Sequence, residues 1–88
     1  MELVDTVEKM TSADYRERFV AEYQQLKIRY EKLKAYCNKI EAAQRIGDAE
    51  KEPPHDCPLT LLKKQQRAMG NYLHILEVRA EIENITLG

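Results

Sequence analysis

Apolar residues in the first half of the chain recur in steps of four and three: Phe19, Tyr23, Leu26, Tyr30, Leu33, Cys37 and Ile40. Such steps align them along one side of an α-helix, in a heptad seam sustained over three repeats. Thr11, Ser12 and Asp14 stand just before the seam and offer oxygens to cap a helix N-terminus. Ala42, Ala43 and Gln44 extend the helix until Gly47, a residue suited to the left-handed stop. A second seam of Leu62, Gln66, Met69, Leu73, Leu76 and Ala80 predicts a helix over about 58–84. Between the two, "GDAEKEPPHDCP" is a loop. Pro53 and Pro54 cannot continue a helix, and Asp56 with Pro58 reads as a cap followed by a first-turn proline. The expected fold is all-α: a short N-terminal helical arm over 1–11, then a long antiparallel helical hairpin over 12–86 with its loop at about 46–57.

The helices carry more apolar surface than one pair can hide. Ala68, Tyr72, Ile75 and Ile82 repeat at helical spacing off the second seam, with Arg79 among them, and Val20 and Ile28 lie off the first. Two helices bury one stripe each against one another, and a small monomer rarely leaves a broad apolar patch bare. The arm could lie over the extra face. The stronger expectation is that copies of the chain cover it, giving a homo-oligomeric helical bundle. Gly70 costs its helix about 1 kcal/mol relative to alanine, or else permits a close approach by another chain.

Composition narrows the function. The chain has 88 residues and a net charge of −1, so it is one domain at most and no generic binder of DNA or RNA polymers. No apolar run approaches the roughly 20 residues that span a bilayer. The acidic start "MELVDTVEKM" lacks the order of a signal peptide, and the cytoplasm is the expected location. Antiparallel pairing sets Cys37 opposite roughly residue 66, so Cys57 lies beyond the ~7 Å that a disulfide allows, and both are expected as thiols. Cys37, His55, Cys57 and His74 lack the compact spacing of zinc ligands.

The balanced total conceals a polarity along the chain. Residues 1–26 hold six acids against three bases, whereas residues 27–47 hold six bases against two acids. Residues 58–70 add Lys63, Lys64 and Arg67, which an antiparallel hairpin sets beside the first basic stretch. Such a run is by default a solvated face. Here it interleaves with Tyr23, Tyr30 and Tyr36, and rings that stack on bases beside cations that pair with phosphate suit a small polyphosphorylated nucleotide. No glycine-rich phosphate loop, Cys–His pair or carboxylate metal motif is present. No cofactor and no catalysis are expected. Two alternatives stand beside a binding role: a coiled-coil adaptor without a small ligand, and an all-helical enzyme in the manner of chorismate mutases, drawing on Arg18, Arg29, Gln66 and Arg79.

The segments "YRER", "YEKLKAY" and "LL..Q..AM..Y..IL..R", in that order over about 14–85, resemble the short phage helical proteins that act as anti-CBASS cyclic-oligonucleotide sponges. The same hairpin resembles the helical part of a phage anti-Thoeris sponge. The resemblance implies a hexamer of interlocked protomers in the cytoplasm of the infected bacterial host, binding signalling nucleotides without hydrolysing them. Cyclic dinucleotides would sit between protomers, with Tyr15 stacking on a base, Lys27, Arg29 or Lys32 pairing with phosphate, and Tyr30 beside them. Cyclic trinucleotides would occupy separate three-fold sites that draw on Lys32 and Arg67.

Overall fold

A computed structural model describes residues 2–87, so residue 1 of the expected arm lies outside them. A 3-10 turn, Leu3–Thr6, leads into a single-turn helix, α1 (Val7–Met10). Two long helices follow, α2 (Tyr15–Ile46) and α3 (Leu59–Glu83), and no strand occurs among the described residues. They form the expected helical hairpin, an elongated body of 49 × 25 × 19 Å.

The helix ends explain their own positions. Asp14 caps α2, its side chain accepting from the Arg16 amide at 2.9 Å, and Ser12 Oγ accepts from the Asp14 amide at 3.1 Å. Gly47 stops α2 in the left-handed region at φ 68°, where a side chain would be strained. The start of α3 differs from expectation: Pro58 is itself the cap residue, with no side-chain cap bond, and Asp56 takes no part. Its fixed φ and absent amide hydrogen make proline a cheap entry to a helix. At the far end Asn84 adopts φ 56°, and the Ile85 amide donates to the Ala80 carbonyl at 2.9 Å. Asparagine tolerates this conformation better than most residues. The reversal folds the tail back, so that Ile85 is buried and Leu87 packs on the core.

The core is one seam. Phe19 and Tyr23 of α2 lie with Leu73, Leu76 and Ala80 of α3, flanked by Leu26 and Tyr30. Cys37, Ile40 and Ala43 continue the buried line of α2 toward the loop. Gly70 allows close approach, but to a ring of its own chain. A methyl group there would stand 3.4 Å from Tyr30 Cε2.

The arm packs on α2 and not on α3. Its anchor is Thr6, fully buried, whose hydroxyl donates to the Leu3 carbonyl at 2.7 Å and accepts from Gln25 Nε2 at 2.8 Å. Ala21, one turn before Gln25 on the same face, is buried as well. The second stripe of α3 therefore stays bare: Tyr72, Ile75 and Ile82 are exposed, Ile75 by 56% and Ile82 by 74%, and Leu61 and Val78 extend the patch.

Gly70 gives a direct test of this packing. Gly70→Ala fits at ordinary contact distance and should raise stability by about 1 kcal/mol through helix propensity. Gly70→Leu must displace the Tyr30 ring and should lower it by roughly 1–3 kcal/mol. Urea unfolding of both variants measures the pair; a stabilising leucine would mean that Tyr30 does not pack there.

Candidate functional site

The open end of the hairpin is held by a polar clamp around Tyr15. The Tyr15 hydroxyl donates to Glu83 Oε1 at 2.9 Å and accepts from Arg79 Nη2. Arg79 also donates through Nε to Glu83 Oε2 at 3.0 Å, and its guanidinium lies 4.9 Å from the centroid of the Phe19 ring. Arg16 Nη1 donates to the carbonyls of Glu83 and Asn84 at 3.1 and 3.2 Å, where the end of α3 leaves acceptors without partners. Tyr15 keeps 47% of its surface exposed, its ring tilted against Phe19 at 6.2 Å between centroids. The ring is thus presented at the surface while its hydroxyl is tied down.

Charge follows this geometry. The hydrogen bond to Glu83 raises the Tyr15 phenol above its ordinary value, since ionisation would set two anions side by side. The same bond, helped by Arg79, holds the Glu83 carboxyl below the usual carboxylate range.

Lys27 and Tyr30 come together further along. They line a groove of about 310 Å³ between α2 and α3, with Tyr23, Glu31, Gly70 and Glu77. Tyr23 donates to Glu77 Oε2 at 3.2 Å, and burial, reinforced by that carboxylate, raises its phenol. Two carboxylates against one lysine make the groove as it stands a poor phosphate site. Arg29 is exposed and lies outside it. From Tyr15 to Tyr30 the helix rises about 22 Å. One chain therefore does not bring its own Tyr15 to its own Lys27, Arg29 and Tyr30.

Lys32 and Arg67 lie at one level of the hairpin. Tyr30 against Gly70 and Lys63 bonded to Glu41 bracket that level from either side. Lys32 pairs with Glu2 of the arm at 3.8 Å, both side chains well exposed, a contact worth little. Among the described residues, Lys27, Arg29 and Arg67 make no ion pair or hydrogen bond. Arg18 is bonded to the Ser12 carbonyl at 2.8 Å, and Arg79 belongs to the Tyr15 clamp. No group of three His, Cys, Asp or Glu side chains among the described residues is placed to hold a metal. No helix is long and apolar enough to cross a membrane. Cys37 is buried and Cys57 exposed, both as free thiols.

The periodicity of the sequence did not reveal Arg16 and Glu83 as partners of the Tyr15 end. The antiparallel register carries the signal, because Tyr23 opposite Glu77 implies residue 15 opposite about residue 85, within side-chain reach of Glu83.

The family model of Sequestin matches residues 13–82, from the residue before the cap of α2 to the last turn of α3, and the chain belongs to the Sequestin family. No curated protein and no solved structure matches it.

The clamp makes a pH prediction. A carboxyl depressed in the folded state adds stability that is present above its unfolded pKa of about 4.3 and lost as pH falls through the folded value. Tyr15→Phe removes the donor, so Glu83 should titrate higher, toward the ordinary carboxylate value. The variant should be less stable than the parent at neutral pH, with the gap closing in acid. Carbon-detected NMR titration of Glu83 reads this directly; an unmoved carboxyl would show that Tyr15 does not hold it down.

Proposed function

We propose that this Sequestin-family chain sequesters cyclic oligonucleotide second messengers without hydrolysing them, in sites completed between copies of itself. The messengers are cyclic dinucleotides and, at a second site, cyclic trinucleotides. Removing them by mass action would blunt anti-phage signalling of the CBASS type in the cytoplasm of an infected bacterium.

The observation that carries this reading is the placement of rings and cations along α2. Tyr15 offers a fixed, half-exposed ring at one end, while Lys27 and Arg29, which make no ion pair or hydrogen bond among the described residues, stand about 18–21 Å further along the helix. A single small cyclic ligand can meet both groups only if they come from different protomers. The uncovered stripe of α3 supplies a surface on which a second chain can pack. A hexamer satisfies both requirements, and the family's name is consistent with sequestration. Lys32 and Arg67, level with one another near the loop end, are the proposed trinucleotide contacts.

Assembly is tested first. If Tyr72, Ile75 and Ile82 are buried between chains, Tm should rise with protein concentration, and Ile75→Glu should yield smaller species in light scattering. A monodisperse parent monomer at micromolar concentration would sink the shared-site reading.

Ligand binding is tested by calorimetry with a panel of cyclic di- and trinucleotides. Tyr15→Ala should cost roughly 1–3 kcal/mol in dinucleotide binding, the contribution of one stacked ring, and spare trinucleotides. Tyr15→Phe keeps the ring and should keep most of the affinity. Arg67→Ala should weaken trinucleotides alone by removing a charge-assisted contact. An adaptor would show no nucleotide-dependent change in Tm, and an enzyme would return altered ligand after denaturation. Loss of both ligand classes in either alanine variant, with the oligomer intact, would require a single shared pocket.

A further inference from the structure

We infer that the bare stripe of α3 pairs with the same stripe of a second copy, the two hairpins lying antiparallel about a two-fold axis that passes near Tyr72. Leu61, Tyr72, Ile75, Val78 and Ile82 are between 44% and 74% exposed. From Leu61 to Ile82 the stripe runs along about 32 Å of helix. Among the described residues no element of the same chain covers it, since the arm packs on α2 and not on α3. Leu61, Ala68, Tyr72, Ile75 and Ile82 stand in steps of seven, four, three and seven, the spacing of a seam that packs lengthwise on another helix.

Charge names the occupant and its direction. Residues 27–70, the loop half of the hairpin, hold ten bases against six acids, and the residues of the open half hold nine acids against four bases. Parallel copies would set like charge over like along the whole stripe, whereas antiparallel copies set each half on its opposite. An axis near Tyr72 lays Leu61 of one copy beside Ile82 of the other, and Ala68 beside Ile75, so that a small side chain meets a large one. On the outer flank Lys64 comes within reach of Glu81 of the second copy. Both are exposed, and neither makes an ion pair or hydrogen bond among the described residues. The inference rests on the reading of sites completed between copies and gives that reading an orientation. Steps of seven put Tyr15, Glu22 and Arg29 on one row of α2. The Tyr15 hydroxyl accepts from Arg79 and Glu22 accepts from the Tyr72 hydroxyl, so this row borders the stripe. Antiparallel pairing brings Arg29 of one copy within about 10 Å, along the axis, of Tyr15 of the other, against about 21 Å inside one chain.

The test uses the full-length chain at low salt, with self-association followed by light scattering over a dilution series. Lys64→Glu and Glu81→Lys each set like charges together twice across the axis, and each should weaken association roughly five- to thirtyfold. Both substitutions suit the helix macrodipole, placing an acid toward the start of α3 and a base toward its end, so neither acts through loss of the helix. Carrying both reversals on one chain restores the opposite pairs and should recover association close to the parent's. In a parallel pair each position meets its own copy, so a reversal exchanges one like pair for another and changes little. Single reversals that leave association unchanged, or a double reversal that does not recover it, overturn the antiparallel pairing and leave the sharing of sites standing. A parent chain that stays monomeric overturns the inference and the shared-site reading together, and gives the stripe to a different protein. Recovery by the double reversal in a chain that binds no cyclic nucleotide supports the pairing and overturns the messenger reading.

Discussion

Phe19, Tyr23 and Tyr30 against Leu73, Leu76 and Ala80 make a seam one side chain wide, and two helices have no room for a second one. A seam this narrow is wet along both edges, which explains the use of tyrosine. A phenylalanine would bury the same ring but waste the rim. Here the Tyr15, Tyr23 and Tyr72 hydroxyls each cross to a glutamate on the opposite helix, Glu83, Glu77 and Glu22 respectively. Tyr36 closes onto the Pro54 carbonyl in the loop. Each of these residues contributes apolar area with one end and a cross-link with the other. The hydrogen bonds also fix the register, because a shift of one turn would separate all of the pairs together.

This constraint explains which parts of the fold were legible in the sequence. The seams were, since their spacing is the geometry of the helix: Phe19, Tyr23, Cys37 and Ile40 are buried, as are Leu73, Leu76 and Ala80. The surplus stripe on α3 was legible for the same reason, and it is bare in the single chain. The arm was not. Its docking depends on one hydroxyl, that of Thr6, meeting Gln25, and no periodicity announces a single buried threonine. The return of the tail was also hidden, because it rests on Asn84 taking a left-handed backbone and not on any repeat in residues 85–87.

The candidate site was legible only as an inventory. Sequence reasoning placed rings and cations on one helix but treated their alternation as proximity. Along a helix, alternation is separation: neighbours in the list stand a turn or more apart, and Tyr15 and Tyr30 are about 22 Å apart. The carboxylates were the other blind spot. Glu31 and Glu77 flank Lys27, and Glu83 restrains Tyr15, effects that a local charge sum averages away.

That restraint bears on how a sequestering protein would reach useful affinity. A binder that works by mass action has no turnover to compensate for weak binding, so the ordering cost of each side chain counts fully against it. A free tyrosine on a surface helix must surrender its rotamers when a base stacks on it. Tyr15 has already surrendered them: Glu83 and Arg79 fix its hydroxyl, Phe19 backs its ring, and close to half of its surface remains open. The folding of the hairpin end has met the cost of immobilising the ring before any ligand arrives. The same logic applies to Lys27 and Arg29 in the opposite sense. Among the described residues they make no ion pair or hydrogen bond, so a bound phosphate breaks none, although Glu31 and Glu77 beside Lys27 oppose an anion there. In the proposed assembly, a rigid ring on one copy of the chain would be set against the cations of another, and association itself would build the site.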